Sequence, residues 1–406
     1  MKNLHLRTLY LALCLAPGCL ARDFLLQNWY PTYNHRLTAI VHDHCQWQLA
    51  LYHSPHRPAN CSASTACKIA PAIDCILDAM KESDKANMAA AAVVLGLLPT
   101  TLGLAGSTTT ETGMLSLRRP LLAFLLAAGA PAVNPIRTFE YRDPMTMLKA
   151  RAGTWRVPHP QTSGSASARP GLWAVWTVAV QYALAAAAVA NLFWVSWTMA
   201  HKTICSWAPE IGWLPVAWAF MSVAIHVAGA TAVALRMRFV QTKETSVWRG
   251  VRSVLRDEFT PSALGSERRL QWKPEGWGFY LLSWATSTGT VLHIIFGTLI
   301  FSSILFIATA DAVTVAARYL ASAVLCRIIL NYELDGISYG AEVAVEESKP
   351  LRQQLRPHPD RGADAWRMMD KTPNGWTYDR MDSEASTPQR RTADTNGSSV
   401  QAKRPR

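Results

Sequence analysis

The chain has 406 residues, half of them hydrophobic and 17% charged, with a formal net charge of +12. Its apolar residues lie in long blocks rather than at helix or strand period, which excludes an ordinary soluble domain. The excess Lys and Arg flank those blocks, where membrane topology places them, so the charge does not point to nucleic acid.

At the N-terminus, Lys2 and Arg7 precede an apolar run over 9–15, and Cys19-Leu20-Ala21 offers small residues to a signal peptidase. Residues 1–21 therefore read as a signal peptide cut after Ala21; the run is short for a hydrocarbon core of about 30 Å. Segment 22–87 is then lumenal or extracellular. It holds Cys45, Cys61, Cys67 and Cys75, which in an oxidising compartment make a small disulfide-bonded region. Three pairings satisfy the count, and the spacing does not choose among them. A zinc site with His42, His44, His53 and His56 is the competing use of these cysteines. The spacing fits no zinc module, so neither metal nor cofactor is expected. Asn60-Cys61-Ser62 is a glycosylation sequon, with Asn60 as acceptor if a disulfide on Cys61 does not hinder it.

Clear crossings follow over 88–106, 172–197 and 213–235, several bounded by tryptophans at headgroup level. From Trp277 to Leu330 the chain is apolar for about twice a crossing, which predicts an interfacial stretch over 277–286. Two spans follow, 287–309 and 312–330, with Asp311 at the turn. The block 120–134 is short and interrupted by Pro131. With a lumenal start and five crossings, loops 107–171 and 237–276 fall in the cytoplasm with their many arginines, and the short loop 201–212 holds only Lys202 outside. A crossing by 120–134 would invert this, so it reads as a re-entrant hairpin. The expected fold is an all-α membrane protein of about five transmembrane helices plus that hairpin. From residue 332 onward, a polar, Pro- and Ser-rich tail is expected to be disordered and cytoplasmic, with its Asn396 sequon unused.

Ionisable groups inside spans are candidates for function. His226 and His293 read first as interhelical hydrogen-bonding groups and second as a proton relay. Asp311 and Arg318 share a helix face two turns apart, as a structural pair or as a gate or ion-pathway charge. Arg327 is expected to snorkel to the cytoplasmic surface. Around the hairpin, Arg118, Arg119, Arg137 and Arg142 read as headgroup anchors or as a cytoplasmic site for an anionic lipid or a protein partner. Small residues at helix-packing spacing recur at Ala183 and Ala187 and at Ala186 and Ala190.

The segments LGLLPTTLGLAGS, RRPLLAFLLAAGAPAV and RTFEYRDP, between Leu95 and Pro144, resemble a family of uncharacterised multi-spanning membrane proteins of filamentous ascomycete fungi. The resemblance covers 67–148 best; it implies membrane location and no catalytic residues. There is no GxxxxGK[ST], GxSxG, HExxH or CxxC motif. The expected function is therefore non-enzymatic: sensing or scaffolding through the N-terminal region and tail, in a secretory-pathway membrane. A transporter or channel built on His226, His293, Asp311 and Arg318 is the alternative.

Overall fold

The computed structural model describes residues 25–53, 66–131, 133–134, 172–240, 255–262, 269–274 and 276–354. The signal peptide, Asn60, Cys61, Arg137, Arg142 and residues 355–406 lie outside them. The chain divides into a unit of residues 1–350 and a second unit from 351 onward, of which only 351–354 are described.

The first unit begins with a cap of three helices: α1 (Pro31–Asp43), α2 (Gln46–His53) and α3 (Ala66–Ala79). Pro31 at the first turn of α1 fits a position whose N–H has no helical partner. Buried Tyr33 and Leu37 on α1 face Ile69, Ala72, Ile73 and Ile76 on α3, an i, i+3, i+4, i+7 stripe. A disulfide between Cys45 and Cys75 ties the start of α2 to α3. Cys67 is disulfide-bonded as well.

Five helical stretches are long and apolar enough to cross a bilayer, and the protein is an integral membrane protein. The first, Glu82–Ala105, is two helices, α4 (Glu82–Gly96) and α5 (Leu98–Ala105), interrupted ahead of Pro99. It starts earlier than the expected 88–106 because polar residues at its start have partners. Asp84 is buried and accepts from Arg36 at 2.6 Å, and its carbonyl accepts from the Tyr33 hydroxyl. Two short helices follow, α6 (Thr109–Ser116) and α7 (Pro120–Gly129). The remaining spans are α8 (Leu172–Lys202), α9 (Leu214–Arg236), α10 (Trp277–Ser302) and α11 (Thr309–Gln354). Their outward residues, such as Val180, Leu292, Leu299 and Ile328, are exposed and contact lipid.

The connections α8–α9 and α10–α11 lie at one end of the bundle, joined by a two-residue antiparallel ladder of β1 (Ile204–Cys205) with β4 (Ile304–Leu305). The cap seats on this end. Met88, Ile204, Phe306 and Ala308 belong to its hydrophobic cluster, and Trp29 meets Phe306 edge-on at 5.2 Å. We call this the cap end and the opposite one the tail end. At the tail end the hairpin of β2 (Met237–Val240) with β3 (Arg269–Trp272) links α9 to α10.

The structure corrects three expected boundaries. The turn between the last two spans is Ser303–Ala308, and Asp311 lies in the first turn of α11. Phe306 makes that turn with φ of 65°, a left-handed conformation held by full burial and by its N–H on Met88 Sδ. No Gly or Pro marks this turn in the sequence. Residues 277–286 are not a separate interfacial stretch but the start of one continuous helix. Finally, the helix expected to end near 331 continues to Gln354, in residues expected to be disordered.

The block 120–134 does not cross. Its helix α7 has ten residues, about 15 Å and half the hydrocarbon core. Placing a Cβ on Gly129 would bring it 2.9 Å from Cys326 Sγ and 3.1 Å from Ala188 Cβ. The end of α7 is thus wedged between α8 and α11, about 24 Å along α8, near its middle. The chain then meets its own start: Val133 bridges Ser107, and the Asn134 N–H donates to the Ser107 carbonyl at 3.0 Å. Helices α6 and α7 therefore form a hairpin whose tip, 117–119, points to the tail end, and α7 re-enters the bundle from there.

Candidate functional site: an ionic hub at the tip of the re-entrant hairpin

Arg119 opens α7 and is fully buried. Its position follows from the turn after α6, where Pro120 begins a new helix and leaves the preceding side chain inside the bundle. Its Nη1 lies 2.8 Å from Glu333 Oε1 and donates to Gln181 Oε1 at 2.6 Å, while Nε donates to the Glu258 carbonyl at 2.9 Å. Glu333 on α11 is also fully buried; it accepts from Gln181 Nε2 at 2.5 Å and from the Ser262 N–H and hydroxyl at 3.1 and 2.6 Å. The Arg119–Glu333 pair is thus fully buried and held by several hydrogen bonds, with Arg119 Nη2 left without a partner among the described residues, so its desolvation is only partly compensated.

Glu258 completes the hub from a short segment between β2 and β3. Its carboxylate accepts from the N–H groups of Leu121 and Leu122 at 3.1 and 2.9 Å and from the Tyr182 hydroxyl. Those two N–H groups belong to the first turn of α7, so a side chain 136 positions away caps the helix, with its negative charge at the positive dipole end. The Tyr182 ring lies 5.7 Å from the Arg119 guanidinium. One cluster thereby locks the hairpin tip, α8, the tail-end loop and α11.

A second ion pair lies deeper. Thr108 and Glu111 form a capping box at the start of α6, with the Glu111 carboxylate on the Thr108 N–H at 2.9 Å. The same carboxylate takes Arg327 of α11 through both terminal nitrogens, one of them at 3.1 Å. Next to it, the Thr112 hydroxyl shares a 2.9 Å hydrogen bond with His226 Nδ1 on α9. Tight packing holds α6 there: a Cβ on Gly229 would lie 2.5 Å from Thr109 Cβ, and one on Gly113 2.7 Å from Val233 Cγ2.

The residues singled out in the sequence are dispersed. His226 bonds Thr112, whereas His293 stacks on Trp218 at 4.8 Å and places Nε2 2.9 Å from its carbonyl. Trp218 Nε1 returns a bond to the His293 carbonyl at 3.0 Å. Trp218 and His226 stand eight residues apart, about 12 Å along α9, so the two histidines serve separate layers. Asp311 accepts from the Thr32 N–H of the cap at 3.2 Å, and Arg318 bonds Asn191 on α8. Arg327 does not snorkel, because Glu111 is within reach. Arg119 is no headgroup anchor, because Glu333 holds it inside; Arg118 beside it is half-buried.

Glu111, Gln181, Glu258 and Glu333 are the functional candidates that sequence reasoning missed. Glu111 carries a legible signal, a Thr-x-x-Glu capping box in front of an apolar run. Glu258 and Glu333 sit in polar stretches where nothing separates a buried carboxylate from a solvated one. Among the described residues no group of three or more His, Cys, Asp or Glu could hold a metal ion.

Comparison with protein-family models, with curated proteins and with solved structures finds no match to this chain.

Proposed function

We propose that the protein senses or scaffolds at a membrane by coupling its disulfide-bonded cap to α11. The observation that carries this reading is the set of contacts along α11. At its first turn the Thr309 N–H donates to Asn87 Oδ1 at 3.0 Å and Asp311 takes the cap's Thr32. Further on, Arg327 and Glu333 hold both arms of the re-entrant hairpin. A shift at the cap therefore acts on a stiff element pinned at the far end by two ion pairs. In this proposal the cap is lumenal or extracellular, which the Cys45–Cys75 bridge favours, and α11 leaves into the cytoplasm. The resemblance to fungal membrane proteins adds a membrane role without catalysis. The test is hydrogen exchange on the full chain in nanodiscs, comparing wild type with Asp311→Ala, which removes the bond from the cap's Thr32. Exchange at 338–349 is expected to rise several-fold; a change confined to the first turns of α11 would sink the coupling.

A transporter is the second reading, favoured by the interruption between α5 and α6, which places Glu111, Arg327 and His226 around broken helices inside the membrane. It predicts proton or ion flux into proteoliposomes that Glu111→Gln abolishes while the protein still folds. Equal flux in wild-type and empty vesicles would dismiss it.

A further inference from the structure

The sequence places loop 237–276 in the cytoplasm, yet its segment 255–262 turns apolar side chains outward. Residues 255–258 form one helical turn that sorts its residues by side. Asp257, Glu258 and Ser262 are buried, the last two as members of the hub, whereas Leu255, Arg256 and Phe259 are exposed. Leu255 is 55% and Phe259 57% exposed, and at i, i+4 they share one face. Carboxylates in and large apolar groups out is the reverse of a loop surrounded by water.

The neighbours of this segment set its level in the membrane. On α8, exposed Trp173 and Trp176 stand toward the tail end, and exposed Trp194 and Trp197 toward the cap end. Trp176 and Trp194 are eighteen residues apart, about 27 Å, which matches a hydrocarbon core of about 30 Å between two aromatic belts. The Phe259 ring packs on Tyr182 of α8 at 5.9 Å. Tyr182 lies six residues, about 9 Å, inside Trp176, and helical side chains lean toward the N-terminus, here the tail end. A second route agrees. Helix α7 runs parallel to α8 with Gly129 beside Ala188, so Leu121 is level with Val180, four residues or about 6 Å inside Trp176. Glu258 accepts from the Leu121 N–H, so the segment lies across the start of α7 at that level. Leu121 and Phe124 on α7 and Val180 on α8 are exposed as well, which makes the loop patch continuous with the lipid-facing surface of the bundle.

We infer that segment 255–262 dips into the bilayer. Leu255 and Phe259 enter the acyl chains of the tail-end leaflet, Arg256 stays at its headgroups, and lipid thereby holds Glu258 and Ser262 against the hub. A second copy or a soluble partner is a poorer occupant, because it would have to reach below the level of Trp176, where lipid already meets Leu121 and Phe124. The inference depends on neither functional reading: lipid holds the loop whether or not the cap signals along α11.

The test uses the full chain in phosphatidylcholine nanodiscs that include phosphatidylcholine with a photoactivatable diazirine in its acyl chain. After photolysis, peptide mapping of wild type is expected to find label on Leu255 and Phe259 at a yield within about threefold of that on Phe124. Label on Phe124 and Trp176 with none over 255–259 overturns the proposal, as does a crosslink from 255–259 to a second chain in its place. That arm needs no variant to fold. Leu255→Ser with Phe259→Ser is then expected to raise amide exchange about tenfold at Leu121 and Leu122, whose N–H groups Glu258 holds, with α9 and α10 unchanged. Unchanged exchange at Leu121 and Leu122 overturns the hold of lipid on the hub. Exchange raised throughout α9 and α10 overturns it too, since the two side chains would then be needed for folding and not for anchoring.

Discussion

Arg119→Leu is expected to destabilise the protein by about 3–5 kcal/mol, the cost of leaving a buried carboxylate without its cation. Glu333 would then hold a charge at full burial with only Gln181 and Ser262 as donors. The reverse change, Glu333→Leu, is expected to cost a similar amount, because Arg119 loses its counter-charge and Ser262 loses its acceptor. The double variant should be less damaging than the sum of the two, since it leaves no unpaired charge. Thermal unfolding can be read through Cys205 and Cys326, unpaired and buried thiols that a thiol-reactive dye reaches only when the bundle opens. Burial also raises the Cys205 pKa, which keeps that thiol protonated and slow to react in the folded state. Single variants that unfold at the wild-type temperature would show that the hub does not hold the helices together.

Removing the Cys45–Cys75 bridge should act elsewhere. The bridge spans 30 residues, and closing such a loop restricts the unfolded chain by about 3–4 kcal/mol. Cys45→Ser with Cys75→Ser is therefore expected to open the cap locally, with amide exchange in α1 and α3 faster by roughly two to three orders of magnitude. The spans should remain closed, because their cluster is built from Leu95, Leu102, Leu122, Trp218 and Phe301 and takes from the cap only Tyr30, at the start of α1. Labelling of Cys326 at the same lowered temperature would mean instead that cap and bundle open as one unit.

How far each feature could be read in advance depended on whether its signal was local. The crossings 172–197 and 213–235 were legible because hydrocarbon thickness demands about twenty apolar residues in a row, and α8 and α9 meet that demand. Pro120 and Pro131 bracketed a block too short to cross, and α7 is that block. The turn at Ser303–Ala308 was missed because its chain reversal relies on burial of Phe306 and pairing with β1, not on turn residues. Helix beyond residue 331 was missed because a polar composition was read as disorder.

Composition and spacing alone thus determined that this chain lives in a bilayer, roughly where it crosses, and that Cys45, Cys61, Cys67 and Cys75, four of its eight cysteines, belong to a small N-terminal region. Those conclusions rest on hydrophobic runs and counts, which folding does not rearrange. Only the tertiary structure decided which charges are buried and with whom. Arg119 and Glu333, Arg327 and Glu111 are more than 200 positions apart in the chain. A carboxylate in a polar stretch looks the same in sequence whether water or an arginine neutralises it. The re-entrant hairpin brings these partners together, and burial, a property of the packed bundle, turns them into a hub.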